Sequence, residues 1–431
     1  MFGIYLKLTY LTESVYSIRD IFMTNPFPNP TLVPMQRQQV RDGLLLTAER
    51  WQRAHDYQRK RQNLHYQSIN QPGIVCGLGV RVISAPEEVA ARYRDDRWVQ
   101  IQPGIAIDLE GNPIIVPHQI NFRIATELKE SEPVTVYLVA QYRDPDCLGA
   151  SSEREVVQET FRIDERSQPP ERSEVELCRV LMRSSQQKLL GTPDNVFFPG
   201  YGDLDLRYRR QAQARPQGLI QIAQINSDDE SCSRNFFNLT YLLRAVEDIY
   251  PSLKGSETVE QVTWNEDLHP YELLYLTGQQ SLSLNSHQFS KLSSYLKSGG
   301  TLLVDASVES TELIQSVQAI AQRLQTPLKS LQEARRDHPL RIKPFLFSAL
   351  PMTNGTKIQL LSGGGIILAI GNLGESWGLD EQLQRSRTEI RTAQELGINI
   401  LHFAWKRKQT IGLQSEESIV VSINQQNGHT I

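Results

Sequence analysis

From Thr47 to Ile69 the chain is polar for most of its length, with Trp51, Ala54, Tyr57, Leu64 and Ile69 as the main apolar members. They form no clean stripe at helical period, and Arg50, Arg53, His55, Arg59, Lys60, Arg61 and His65 stand between them. A helix polar nearly all round either bridges units or is held by charge pairs. Acid partners within it are few (Glu49 and Asp56), so its basic groups look outward; an ordinary solvated face is the competing reading. Thr47 can cap the first turn and Glu49 suits the positive end of the dipole, which predicts a helix from Thr47. Asn70-Gln71-Pro72-Gly73 stops it. Ahead of it, Pro26, Pro28, Pro30 and Pro34 fix an extended arm over Asn25–Pro34. Such an arm either wraps a neighbour or drapes over its own domain.

After the helix the period changes to that of strands. IVCGLGVRVIS, RWVQIQP, GIAIDLE, PIIVP, HQINFRI, PVTVYLVAQYR, EVVQETFRI and EVELCRVLM alternate between turn signals, which predicts an antiparallel sandwich or barrel over residues 77–185. Residues 186–216 read as a linker with a basic run, Arg207, Arg209, Arg210 and Arg215. From Gln217 apolar strands alternate with helices: GLIQIAQI, FFNLTYLLRAVEDIY, ELLYLTG, SHQFSKLSSYLKSGG, TLLVDA, ESTELIQSVQAIAQRL, KIQLLSGG, GIILAIGN and RTEIRTAQELGINILHFAWKRK. That alternation predicts a three-layer α/β domain with a mostly parallel sheet over 217–406. The fold class is therefore α+β and multidomain: an extension and arm (1–41), a connector helix (42–76), an antiparallel β domain, a linker, the α/β domain, and a polar tail (407–431).

At 431 residues two or three domains are expected. A net charge of -4 gives no general reason to expect nucleic acid as partner. Cys76, Cys147, Cys178 and Cys232 are scattered, so reduced thiols in a cytoplasmic compartment are the expectation. No apolar run approaches the length of a bilayer span. The opening MFGIYLKLTYLTESVYSIRDIF is broken by Lys7, Glu13, Arg19 and Asp20, and Met23 begins a plausible shorter chain.

Chemistry is sparse. His55 and His65 are ten apart, which argues against a helical metal pair. Gly77-Leu78-Gly79 lacks the third glycine and the helix of a phosphate loop. Asp108 and Glu110 flank a tight turn, where acids are common for turn reasons. In the α/β domain the ends of the strands are the place for a ligand. Thr277-Gly278-Gln279 and Asp305-Ala306-Ser307 stand there, with no nucleophile elbow. Cys232 has Asp228, Asp229 and Glu230 beside it, which would raise a thiol. His269 and His338 each precede a proline, and Gly363-Gly364-Gly365 reads as a hairpin turn. The expectation is no enzyme, no cofactor and no metal.

Two resemblances add to this. HPYELLYLTG (His269, Pro270 to Gly278), YLKSGGTLLVDA (to Asp305 and Ala306) and ELGINILHFAW carry a similarity, over about 215 to 406, to a bacterial domain family of unknown function. Its fold is akin to the class I glutamine amidotransferases; the amidotransferase cysteine is absent where Asp305 to Ser307 stand. DGLLLTAERW, the Tyr57 to Gln71 run, PGIVCGLGVRV and IQPGIAIDLEGNPIIVP resemble, over Asp42 to Pro117, the helix-plus-β module of phage-tail-like contractile injection systems. The two together look like cyanobacterial baseplate-associated components. The resemblance implies a structural adaptor at the baseplate periphery, partnered by other baseplate proteins, where the particle meets a membrane (the thylakoid in a cyanobacterium). The arm and helix would bind neighbours, with Arg50, Trp51, Tyr57, Arg59 and Arg61 as contacts. Trp51 also suits packing on its own β domain. The rival reading is a hydrolase or amidotransferase-like enzyme with a deep pocket at Gly278 and Asp305. A third is a sugar- or membrane-binding β domain, for which Tyr93 and Trp98 are the nearby aromatics.

Overall fold

A computed structural model describes residue 30 and residues 33–126, 133–144, 158–183, 187–191, 195–226, 231–256, 258–379 and 384–414. It divides into two compact units, Met1–Arg215 and Pro216–Ile431.

In the first unit, helix α1 spans Ala48–Ile69. The Thr47 hydroxyl accepts from the Arg50 amide at 3.4 Å, with Glu49 in the first turn, so the start follows from capping and dipole as the sequence implies. Asn70 closes the helix, donating its amide to the Tyr66 carbonyl. None of the helix's side chains is buried.

The stretch after α1, expected as one strand, is two: β1 (Gly73–Gly77) and β2 (Val80–Ile83). Gly77 and Leu78 both take left-handed backbone, with φ of 64° and 54°. For a leucine this is strained, and full burial of the Leu78 side chain holds it there. Strands β3 (Trp98–Ile101), β4 (Gly104–Ile107), β5 (Pro113–Val116), β6 (Ile120–Arg123), β7 (Val134–Arg143), β8 (Thr160–Arg166), β9 (Glu174–Met182) and β10 (Leu204–Asp205) follow. They pair antiparallel in sheets ordered β1-β4-β5, β2-β3-β6 and β10-β9-β7-β8. Inward residues of all three sheets, among them Ile74, Val99, Ile114, Leu138 and Leu177, share one core. Among the described residues no sheet closes on itself, so the antiparallel expectation holds and the barrel form of it does not.

The stretch read as a linker is stitched to this unit. Leu189 and Leu204 enter its core. Arg209 donates to the carbonyls of Leu78 (2.6 Å), Leu177 (2.9 Å) and Gly77 (3.1 Å). The left-handed step at Gly77-Leu78 turns carbonyls away from any ladder, and a guanidinium with five donors in a fork is suited to collect them. Gln211 and Ala214 bridge to Ile74 and Asn70.

The second unit holds β11 (Gly218–Ile220), β12 (Ile222–Ile225), α2 (Ser231–Ile249), β13 (Leu253–Gly255), β14 (Glu260–Val262), β15 (Leu273–Thr277), α3 (Ser286–Lys297), β16 (Thr301–Ala306) and α4 (Thr311–Arg323). After them come β17 (Lys329–Ser330), α5 (Pro339–Ile342), β18 (Met352–Thr353), β19 (Thr356–Lys357), β20 (Gln359–Gly363), β21 (Ile366–Ile370) and α6 (Arg387–Gly412). Seven strands make one sheet in the order β14-β12-β15-β16-β21-β20-β17. The first five are parallel and the last two antiparallel. Every residue of β15 and β16 is buried, as a sheet covered on both faces requires. Leu303 and Ile367 face Leu242, Val246, Leu396 and Ile400 of α2 and α6. Leu302 and Ile366 face Leu292, Leu296, Leu313 and Val317 of α3 and α4. The layers are thus helix, sheet, helix.

Gly364 and Gly365 sit at φ of 57° and 94° between β20 and β21, the tight hairpin their triplet signals. Helix α6 continues through Gly412, past the expected start of a polar tail at 407. Arg407 and Lys408 explain the extension, because both donate to carbonyls of the strand-entry loops.

Candidate functional site

Helix α1 presents two unlike faces. Positions 59, 63 and 67 recur every four residues and so share a side. Arg59 donates to Asp144 and Asp56. Asn63 lies 2.7 Å from Asn112, and Gln67 donates to the Glu110 carbonyl. The receiving turn is stiff: Asp108 accepts from the Asn112 amide (2.8 Å) and side chain (2.9 Å). Gly111 stands at φ 82°, where a Cβ would lie 2.5 Å from the Asn63 carbonyl. Only glycine lets the helix backbone come this close. Burial pushes the Asp108 carboxyl up to about 6, against the pull of its bonds to Asn112.

The other face is open. Arg50, Ala54, Tyr57, Arg61, Leu64 and Ser68 alternate spacings of four and three, which places them along one stripe. Leu64 and Arg61 are exposed, and Tyr57 is half-buried. Trp51 is 58% exposed, rotated off this stripe, with its ring edge-on to His55 at 5.5 Å. Before the helix, Val33, Val40, Leu45 and Leu46 are all exposed, and Arg50 reaches back to the Leu45 carbonyl. Of the five contact residues expected from sequence, Arg50, Tyr57 and Arg61 therefore share a face and Trp51 projects beside it. Arg59 does not join them, because Asp144, far along the chain, holds it on the inner face. Of the expected arm Asn25–Pro34, only Pro30, Val33 and Pro34 are among the described residues.

In the second unit the motif residues lie at opposite ends of the sheet. His269 and Pro270 precede β15. Their carbonyls both accept from Lys408 at 2.9 Å, and Lys408 pairs with Glu272 at 2.8 Å. His269 Nδ1 is 3.1 Å from the Ser298 hydroxyl. A cavity of about 220 Å³ beside His269 is lined by Glu266, Asp267, Leu268, Lys291 and Ser294. This is the amino-terminal edge of the parallel strands, away from the end where open α/β sheets bind ligands.

Gly278 and Asp305 lie at the carboxyl end, where Thr277 and Asp305 are in register. Asp305 is buried. One oxygen accepts from the Leu373 amide (2.9 Å), the other from the Gly374 amide (2.6 Å) and the Tyr275 hydroxyl (3.0 Å). These donors tie β15 and β16 to the short 3₁₀ turn Leu373–Ser376. The sequence places Tyr275 in the family motif without showing its bond to Asp305, and it gives no sign of Gly374 and Trp377, which look like ordinary loop and core residues until the chain is folded.

Burial pushes Asp305 up to about 6, while its three donors pull the other way. Its value in the unfolded chain is about 3.9. The folded state thus binds the proton more tightly, and the stability linked to it is fully present below about pH 4 and lost as pH rises through about 6. Asp305→Asn is expected to flatten this part of the profile, by up to about 3 kcal/mol. Urea unfolding of both proteins from pH 4 to 7 measures it; a difference of opposite slope would refute the assignment.

Cys178 is buried, and burial drives its thiol up to about 12, so it is inert; Cys76 is exposed. Cys147 and the side chain of Cys232, with Asp228, Asp229 and Glu230, lie outside the described residues. Among those described, no group of three metal-ligating side chains converges and no helix is long and apolar enough to cross a membrane.

Comparison with known proteins places one part of the chain. Residues 221–405 match the model of a domain of unknown function, DUF4159. The match falls within the second unit and takes in His269, Gly278 and Asp305. A crystal structure of TssK is similar at 11% identity and a TM-score of 0.24, covering 50% of this chain and 48% of that one. No curated protein matches the chain.

Proposed function

We propose that this protein is a non-enzymatic structural subunit of a contractile injection system baseplate, joined to neighbouring baseplate proteins through the segment before α1 and the outward face of α1. The observation that carries the contact role is the helix itself: 22 residues long, with no buried side chain. Polar bonds hold its inner face, while Tyr57, Arg61 and Leu64 on the outer stripe, and Trp51 beside it, face away. Tyr, Trp and Arg are the residues that dominate contact energies. The kind of assembly comes from the resemblance of Asp42 to Pro117 to the contractile-system module.

The DUF4159-like unit acts in this proposal as a scaffold at the periphery. Its carboxyl-end carboxylate, Asp305, is buried and accepts three bonds from donors of its own chain, which suits a brace between strand ends and the following turn. His269, the other titratable motif residue, is at the far edge of the sheet.

The test combines removal of residues up to Leu46 with Tyr57→Ser, Arg61→Ser and Leu64→Ser. These changes leave Arg59, Asn63 and Gln67 to hold the helix. The altered protein is expected to be lost from purified particles while remaining folded. Wild-type occupancy in particles would overturn the proposal.

A further inference from the structure

Outside α1, the first unit carries a second uncovered apolar surface. The loop after residue 195 presents Val196, Phe197 and Phe198 at 51, 70 and 78% exposure. Its backbone is fixed. The Phe197 amide donates to the Asn195 side chain at 3.0 Å, the Phe198 amide to the Asn195 carbonyl at 3.0 Å, and Arg207, paired with Asp205, to the Phe197 carbonyl at 2.8 Å. Gly202 joins this loop to Leu181 and Leu190, which are also exposed, through bonds of 2.9 Å each. Two adjacent phenylalanines held in water by a tied turn are not left over from a core; they mark a contact.

We propose that this patch receives the segment 33–46 of a second copy of the chain, in a head-to-tail contact. The proposal rests on the assembly role above and names its partner and receiving surface. Four features of the chain support a second copy as the occupant. The segment carries Val33, Val40, Leu45 and Leu46 exposed, so among the described residues one molecule holds two exposed apolar elements. Fully extended it spans about 45 Å, enough to reach across to a neighbour. Among the described residues strand β10 pairs only with β9 and ends its sheet beside the patch, the position at which a strand can be added. The charges are opposite in sign, Arg37 and Arg41 on the segment against Asp203 at that edge.

A lipid surface is less well served. The cations around the patch are engaged within the chain: Arg179 with Glu176, Lys188 with Asp96, Arg207 with Asp205, and Arg183 over the Tyr201 ring. A loop built to enter an anionic bilayer would keep such cations free. The contact joins different surfaces on the two copies, so it closes as a reciprocal pair or continues into a ring or filament.

Two variants test this: a chain lacking residues up to Leu46, and the full chain with Phe197→Asp and Phe198→Asp. High exposure of both rings makes the second variant tolerable to the fold, and its circular dichroism and melting curve check that. Analytical ultracentrifugation over a dilution series is expected to show the wild type larger than a monomer and each variant monomeric. Mixing the two variants is expected to give a one-to-one pair and nothing larger, since one intact segment meets one intact patch. A monomeric wild type at every concentration, either variant at wild-type mass, or a mixture without the pair would overturn the inference. So would a monomeric wild type that co-sediments with phosphatidylcholine–phosphatidylglycerol vesicles through the two phenylalanines. If the Phe197/Phe198 variant enters particles normally while the α1 variant is excluded, this inference falls and the baseplate role stands.

Discussion

Trp377→Ala is expected to remove about 3–5 kcal/mol of folding stability, the usual range for emptying a buried tryptophan site. The side chain has no exposed surface. Its indole nitrogen donates to the Ala393 carbonyl at 3.0 Å, and its ring lies 5.7 Å from that of Tyr275. Helix α6 makes room with Gly397, where a Cβ would lie 2.9 Å from the indole nitrogen. The site is therefore enclosed by rigid elements that cannot collapse into the space. Loss of the ring also frees Tyr275, one of the three donors on Asp305, so the strand ends loosen together. Denaturant unfolding followed by circular dichroism measures the effect, and Trp377→Phe should recover part of it. A wild-type midpoint for the alanine variant would mean that the 3₁₀ turn does not seal the carboxyl end of the sheet.

Gly104→Val should be nearly as damaging to the first unit. A Cβ at residue 104 would lie 2.3 Å from the Cys76 carbonyl oxygen and 2.5 Å from the Leu78 nitrogen, both backbone atoms. Opposite it, a Cβ on Gly77 would lie 2.1 Å from the Pro103 carbonyl. Two glycines face each other where β1 and β4 cross, and neither backbone can yield without breaking the β1–β4 ladder. The expected loss is at or beyond the upper end of the roughly 1–3 kcal/mol typical of overpacking. Gly191→Ala is the control, since nothing lies within 4 Å of a Cβ there and its melting temperature should barely move. Equal melting curves for all three proteins would contradict the close crossing.

Local chemistry made much of this fold readable. Thr47 and Glu49 marked the start of α1, Gly364-Gly365 marked a hairpin, and unbroken apolar runs marked strands covered on both faces. What escaped reading depends on residues far apart in the chain. Arg59 looked like a free cation because its partner Asp144 lies 85 positions on. The residues before Pro216 looked like a linker because no local signal connects Arg209 to the carbonyls of Gly77 and Leu78. The last turns of α6 looked like a polar tail because Arg407 and Lys408 find their acceptors only after α3 and β15 are in place. The same limit applies to the chemistry: nothing near Asp305 in the sequence announces that Leu373, Gly374 and Tyr275 donate to it.

Helix α1 is held by polar bonds and one glycine turn, and none of its side chains enters the hydrophobic core of the first unit. Substitutions on its exposed face should each change folding stability by no more than about 0.5 kcal/mol. That face can therefore be rewritten almost freely while the core of its unit stays as it is. Selection could fit it to a changed neighbour one residue at a time, and each intermediate sequence would still fold.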